Sequence, residues 1–434
     1  MSLFGSSGIR GLVFDEITMD LALDMGRAVG SLHNNVILGR DTRTSGEMYR
    51  SLIVSGLLSS GADASDAGIV STPTLAWAGK QFDCGLMITA SHNPGNYNGV
   101  KFWNPNGLAF LKEQRDQIDE LLRRKEFRPA EWDQIGQLHA YENAVSEHKD
   151  AILSSLGESS IKVVVDCGGG ATFNITPTLL EDMGCEVFAL NAEPDGHFSS
   201  RMPEPTEENL STLIQTVKSE NADLGIAHDG DGDMMTTVDE KGRYIGGDKL
   251  LSIFAKQEVS KSVVVPVDAS MVIDDLVPDA KVYRTRVGDV FVGEEIERRE
   301  ADFGGEPSGT WIFPRHFLCP DGVYAAALLA NMVSESKLSE LADKVPEYPQ
   351  KVEGFSFDPK RRESILKSLD ERMRSVPCEE MTTVDGWRLQ FQDGWALVRL
   401  SGTEPKVRLK VEARTPQRVK EIYRSIHSIA KEVL

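Results

Sequence analysis

The chain has 434 residues, enough for two to four domains of about 100–200 residues each. Apolar residues make up 40% and charged residues 26%, an ordinary globular balance that argues against long disorder, and no apolar run approaches the roughly 18 residues of a membrane span. Lys and Arg total 47 against 67 Asp and Glu, a formal charge of −20 that disfavours nucleic acid and anionic membranes as partners but leaves room for a small anion wherever cations gather locally.

The opening MSLFGSSGIRG lacks the basic-then-apolar pattern of a signal segment, so a cytoplasmic location is expected. Thr18 can cap a helix whose Leu21, Met25, Ala28, Val29 and Leu32 share one face. Asn35 to Asp41 and Asp83 to Thr89 read as buried strands running into polar loops, the logic of an α/β domain. Lys112 to about Ser155 is polar and helix-rich. The pattern restarts at Ile161-Lys-Val-Val-Val-Asp166, followed by Gly168-Gly-Gly170 and a helical stretch. It restarts again at Ser262-Val-Val-Val-Pro-Val267, with a polar loop from Phe303 to Gly309. The last part differs. Leu389–Phe391 and Ala396–Leu400 flank an Asp393-Gly394 hairpin turn, Val407, Leu409 and Val411 alternate as a strand, and Pro416 opens a final helix. We therefore expect units at 1–152, 153–252, 253–348 and 349–434. The five cysteines, odd in number and without C-x-x-C, read as reduced thiols.

Four polar clusters each follow a predicted strand. Thr89-Ala-Ser-His-Asn-Pro94 offers a hydroxyl nucleophile in Ser91, although Ser, Asn and Pro are also ordinary turn residues and no G-x-S-x-G elbow supports a hydrolase. Asp229-Gly-Asp-Gly-Asp233 sets three carboxylates at alternate positions, suited to one hard cation; a solvated acidic turn is the plainer alternative. An EF-hand fits poorly, since Met234 stands where that loop needs Gly. Gly304-Gly-Glu-Pro-Ser-Gly309 holds a carboxylate and a hydroxyl between glycines, and in isolation reads equally as a turn. Arg399-Leu-Ser-Gly-Thr-Glu-Pro-Lys-Val-Arg408 combines hydroxyls, Gly and cations into a phosphate cradle or a solvated basic loop. Arg10, Arg40, Arg43, Lys101 and Arg286, placed in other polar loops, would supply positive charge for an anionic substrate.

Taken together and in this order, TASHNP, DGDGD, GEPSG and RLSGTEP resemble the four signature loops of the α-D-phosphohexomutases over essentially the whole chain. The resemblance implies three related α/β domains plus a C-terminal α+β domain around a central cleft. It also implies an intramolecular phosphotransferase that interconverts sugar 6-phosphates and 1-phosphates through a phosphoserine and a bisphosphate intermediate. By position, Ser91 would carry the phosphoryl group. Asp229, Asp231 and Asp233, with a phosphoserine oxygen, would bind Mg²⁺. Glu306 and Ser308 would meet sugar hydroxyls, and Arg399, Ser401, Gly402 and Thr403 would hold the non-reacting phosphate. Arg10 and Lys101 match basic residues near the phosphoserine, with Lys101 a proton carrier and His92 positioning the loop. A sugar 1,6-bisphosphate activator is implied as well.

Two positions depart from the family pattern: Met234 follows DGDGD where Arg is common, and Thr310 ends the sugar loop where His is common. Thr is a poor proton carrier. RTRVGD (Arg284 to Asp289), SGTEPKVR and Trp311 after the sugar loop resemble the phosphoglucosamine branch, which implies glucosamine phosphate as substrate. The alternatives are a broad-specificity phosphomannomutase/phosphoglucomutase and a non-catalytic sugar-phosphate-binding protein.

Overall fold

Runs of β-branched residues such as Val163–Val165 and Val263–Val265 are buried on both faces and form central strands. The computed structural model describes residues 3–5, 8–401 and 405–433, and four sheets succeed one another along it. The first orders its strands Gly8–Leu12, Tyr97–Trp103, Cys84–Ile88, Asn35–Arg40, Asp63–Ile69 and Leu138–Ala140; the last four run parallel and the first two close the edge antiparallel. The second runs Tyr244–Ile245, Met235–Asp239, Leu224–His228, Lys162–Asp166 and Glu186–Leu190. The third runs Lys281–Thr285, Ser262–Pro266, Phe303–Glu306, Thr310–Phe313 and Phe317–Pro320. Each of these two has a parallel part and an antiparallel edge.

The fourth sheet, Gln350–Ser356, Lys406–Ala413, Gly394–Leu400, Trp387–Phe391 and Glu380–Thr382, is antiparallel throughout. Helices Arg362–Met373 and Pro416–Val433 close its core through Ile365, Leu369, Val419, Ile422 and Ile426. The expected class, three α/β units and one α+β unit, is the one observed. The second and third units are not independently cored. One cluster runs from Val163 and Ile226 through Val263 and Phe303, joined by helix Gly322–Glu335, whose Ala-rich surface is buried on nearly all sides.

Several local expectations need correction. Leu32 ends helix Met19–Leu32 and is 43% exposed, because the chain leaves the helix at His33; Thr18 does cap that helix, accepting from the Leu21 N–H at 3.1 Å. Phe303–Glu306 is a strand, not a loop. Its glycines are needed because a Cβ at Gly304 would meet the Val264 carbonyl at 2.8 Å and one at Gly305 the Thr310 carbonyl at 2.7 Å. The C-terminal hairpin turns at Gln392-Asp393, one residue early: Phe391 faces Gly394, which lies in the strand where a Cβ would meet the Glu412 carbonyl at 2.5 Å. Leu138–Ala140, expected within a helix-rich stretch, adds a parallel strand. Among the described residues no helix is long and apolar enough to cross a membrane. All five cysteines are free and four are buried.

Candidate active site

Ser91 follows the buried strand Cys84–Ile88 and has φ +51°, a left-handed conformation that costs a non-glycine residue roughly 1–3 kcal/mol and persists only where its surroundings impose it. Arg43 supplies much of that imposition. Its Nε pairs with Asp41 at 2.9 Å, and its Nη atoms donate to the carbonyls of Ser91, Asn93, Pro94 and Tyr97 at 2.6–3.0 Å. Thr89 Oγ1 bonds Asp41 at 2.7 Å and accepts from the Ser91 N–H at 2.9 Å. Arg43 was expected to be one of several loop cations for a substrate; with its side chain wholly buried it instead ties down the loop. Arg40 pairs with Glu47, and Arg286 lies over the Phe291 ring.

The Ser91 hydroxyl donates to Asp229 Oδ2 at 2.7 Å. Asp229 Oδ1 accepts from the N–H groups of Gly232 and Met234 at 2.9 and 3.2 Å, so the glycine-spaced loop folds back on its own first carboxylate. Gly232 has φ +76°, which favours glycine. Asp231 is locked from the first unit: Thr72 donates to it through Oγ1 at 2.5 Å and through N–H to its carbonyl at 2.8 Å. Lys101 reaches Asp231 Oδ2 at 2.7 Å and also pairs with Asp233. It lies in strand Tyr97–Trp103, as Arg10 lies in strand Gly8–Leu12, so neither is the loop residue expected.

The carboxylate oxygens of Asp229, Asp231 and Asp233 fall within 4.8 Å of one another, and all three residues are buried. Burial and the neighbouring Asp231 and Asp233 raise the Asp229 pKa well above the usual range; burial and Asp231 push Asp233 up to about 7. For Asp231 burial acts upward, but the Lys101 ammonium together with hydrogen bonds from Lys101, Thr72 and Asp229 outweighs it and the net shift is downward. Lys101 itself is shifted upward overall, since the aspartates outweigh the opposing effect of its burial. One ammonium thus faces three carboxylates, and the buried Asp231 Oδ1 has no hydrogen-bond partner. An orphaned oxygen among hard oxygen donors with excess negative charge fits a divalent cation such as Mg²⁺.

A cavity of about 150 Å³ opens beside these groups, lined by Arg10, Ser91, His92, Lys101 and Asp233 on one side and Glu306, Ser308 and Thr310 on the other. Arg10 Nη1 donates to Asn93 at 2.9 Å. Burial, then the positive charges of Arg10 and Lys101, push His92 down to about 4, which leaves the ring neutral at pH 7; its Nδ1 lies 3.4 Å from Ser91 Oγ. The hairpin of strands Phe303–Glu306 and Thr310–Phe313 docks on the 229–233 loop: Met234 bridges Thr310, and Trp311 Nε1 donates to the Met235 carbonyl at 2.9 Å. Glu306 accepts from the Gly288 N–H at 2.7 Å. Burial, reinforced by Asp289, pushes Glu306 up to about 8, so its carboxyl is mainly protonated at neutral pH and can donate as well as accept.

Arg399 and Ser401 stand outside that cavity. Arg399 pairs with Asp385 at 2.7 Å, and its charge reaches Glu306; Ser401 is buried, with its N–H on the Lys406 carbonyl at 2.8 Å. Gly402 and Thr403 lie outside the described residues. Asp385 also accepts from the Val287 N–H at 3.2 Å, so the VGD segment hangs between the fourth unit and Glu306. Sequence reasoning missed Thr72, Asp385 and the structural task of Arg43. Asp41-Thr-Arg43 at the end of a strand was the available signal for the last.

Four family models match the chain: phosphoglucomutase/phosphomannomutase α/β/α domains I, II and III over 1–129, 139–242 and 246–348, and the C-terminal domain over 353–427. The chain belongs to this family, the α-D-phosphohexomutases. It is 49% identical to a probable phosphoglucosamine mutase of Methanocella arvoryzae over 100% of this chain and 99% of that relative, and 47% identical to one of Methanococcoides burtonii over the full length of both. The crystal structure of a phosphoglucomutase/phosphomannomutase family protein from Burkholderia thailandensis superposes with a TM-score of 0.89 at 26% identity, covering 99% of this chain and 98% of that one. An N-acetylphosphoglucosamine mutase from Aspergillus fumigatus, solved with GlcNAc-6P and magnesium, shares the fold at a TM-score of 0.59 and 15% identity over 99% and 95% of the two chains. The family expected from the four loops is therefore the one found.

Proposed function

We propose that this phosphohexomutase interconverts the 6-phosphate and 1-phosphate of glucosamine through a phosphoryl group carried on Ser91. The observation that carries the reading is the hydrogen bond from Ser91 to Asp229, inside a buried carboxylate set whose Asp231 Oδ1 is orphaned. A phosphoryl group on Ser91 would bring about −1.5 to −2 charge against three carboxylates. A divalent cation would offset that charge beyond what Lys101 and Arg10 supply, and Asp229, Asp231 and Asp233 with a phosphoserine oxygen would hold Mg²⁺. Bound there, the ion would neutralise charge on the transferring group.

The chain's own residues would do the rest. Glu306 and Ser308 would hold sugar hydroxyls, and Arg399, Ser401, Gly402 and Thr403 would anchor the phosphate that is not reacting. The acceptor hydroxyl oxygen would attack the phosphorus on Ser91, the P–Oγ bond would break, and the hydroxyl proton would pass by way of Lys101 to Ser91 Oγ. Lys101 would be released from its aspartates by the competing cation, which shifts its pKa downward, the direction a proton carrier requires. His92 would position Ser91, and Arg10 would face the phosphoryl group. The bisphosphate would then turn end for end and return its other phosphoryl group to Ser91. Both ends must fit one anchor, and a sugar 1,6-bisphosphate would prime the unphosphorylated serine.

The choice of glucosamine phosphate rests on full-length relatives named probable phosphoglucosamine mutases and on the RTRVGD and SGTEPKVR segments. The unit boundary at 348/349 falls between two family-model spans, whereas those at 152/153 and 252/253 lie inside the spans 139–242 and 246–348. Free cysteines suit the reducing cytoplasm, where we place the protein. A coupled assay comparing glucosamine, glucose and mannose phosphates, with the matching bisphosphate and Mg²⁺, tests the reading. The highest kcat/KM should fall on glucosamine phosphate. Preference for glucose or mannose phosphate overturns the substrate, and no turnover of any of the three overturns the mutase.

A further inference from the structure

Between the third and fourth units lies a crevice of about 440 Å³ that shares no lining residue with the catalytic cavity. One wall is strand Lys281–Thr285, which carries Arg284; the other is the paired strands Glu380–Thr382 and Trp387–Phe391. Thr382 and Arg388 are directly opposed in that pair, so their side chains leave the sheet on the same face. Three buried polar atoms on these walls have no hydrogen-bond partner: Arg284 Nη1, Arg388 Nη2 and Thr382 Oγ1.

Three arginines and three carboxylates line the crevice, and they are not all paired. Asp274 is taken by Arg284 at 2.6 Å, and Asp275 by Arg414 at 2.8 Å and by the Tyr348 hydroxyl. Glu380, also on the wall, is exposed to solvent. Arg388 is left over. It is 4% exposed, its Nη1 donates to the Val267 carbonyl and its guanidinium lies 3.9 Å from the centre of the Trp395 ring, but among the described residues no carboxylate pairs with it. Burial, with Arg284 nearby, pulls its pKa well below the ordinary arginine range against the opposing charges of Asp274, Glu412 and Asp268, none of which forms an ion pair with it. A guanidinium does not deprotonate in proteins, and a buried charge without a direct ion-pair partner is costly. A stacked Trp offsets part of that cost; an anion offsets the charge.

We infer that this crevice is a second anion site, taking a small phosphate-bearing molecule on Arg284, Arg388 and Thr382. Two guanidinium groups and a hydroxyl on the two walls supply donors of the kind a tetrahedral oxyanion accepts. The remaining volume leaves room for an organic body. A ligand there bridges the third and fourth units, and Arg399 rides on strand Gly394–Leu400, hydrogen-bonded to the strand of Arg388.

Calorimetric titration of the full chain with inorganic phosphate tests this without any turnover. Wild type should show two classes of site. Arg399→Ala should weaken the catalytic class and keep the other, while Arg284→Gln should weaken the other at least tenfold and leave the KM for sugar phosphate unchanged. Thr382→Val, close to isosteric, should weaken the same class about threefold, and it decides the matter if Arg284→Gln proves unstable. A single class of site abolished by Arg399→Ala, or a second class indifferent to both Arg284→Gln and Thr382→Val, would show that the crevice holds only water.

Discussion

The two ends of the candidate site are built differently. At the Ser91 end, Ser91, Lys101, Asp229, Asp231 and Asp233 are buried and bonded to one another across the first and second units. The loop of Ser91 hangs on one guanidinium, that of Arg43, and the 229–233 loop is pinned by Thr72. At the anchor end, Arg399 and Ser401 belong to a unit with its own core, joined to the third unit by a small apolar contact around Val267, Met271, Trp395 and Leu397 and by polar links such as Glu412 to Ser270 at 2.6 Å. The chemistry of phosphoryl transfer needs atoms held within fractions of an ångström, whereas an anchor that must accept a bisphosphate in two orientations needs a grip that can be made and remade. The contrast between an interlocked end and a separately cored end matches that division of labour.

The sharpest break in the interlocked end is Ser91→Ala. It removes the hydroxyl on which the proposed covalent intermediate would form, so mutase activity in the coupled assay should fall at least about 10³-fold while the fold is kept. Arg43→Ala comes next. It frees four carbonyls and leaves Asp41 buried without its partner, a loss of about 3–5 kcal/mol when a buried pair is broken from one side. The melting temperature should drop, and kcat should fall about 100-fold with little change in KM, since Arg43 places the reacting loop and does not line the cavity. Arg43→Lys should not restore activity, because a single ammonium cannot serve four carbonyls and a carboxylate.

At the anchor end the signature should be the reverse. Arg399→Ala loses charge-assisted contacts of about 1.5–3 kcal/mol, so KM for the sugar phosphate should rise about 10- to 100-fold with a smaller fall in kcat. If both ends gave the same kinetic pattern, the distinction between them would be lost. The smallest effect is expected for Thr310→Ala. Its hydroxyl only brushes Ser308 at 3.4 Å, so kcat/KM should change less than about threefold. A loss of 100-fold would make Thr310 a proton carrier after all.

The residue types gathered at the candidate site were legible in the sequence because loops that bind ions and phosphate draw on a narrow vocabulary of Ser, Asp, Gly and Arg placed just after strands. What could not be read there depends on distant parts of the chain. The four carbonyls on Arg43 lie about fifty residues away in sequence, and Thr72 meets Asp231 from another unit. Gly304-Gly305 reads as loop, yet it is strand, paired on both sides, and glycine stands there because neighbouring carbonyls crowd the places of two Cβ atoms. The core shared by the second and third units was hidden for the same reason: helix Gly322–Glu335 has few polar positions to mark a boundary, and only its packing shows that it serves both sheets.

The central claim is that the hydroxyl bonded to Asp229 is the one that carries the phosphoryl group. Mass spectrometry of peptides from enzyme incubated with Mg²⁺ and a hexosamine 1,6-bisphosphate tests it most directly. The account predicts one phosphoryl group, located on Ser91, which disappears when glucosamine monophosphate is added in excess. An active enzyme that carries no phosphate, or carries it on another residue, would contradict it.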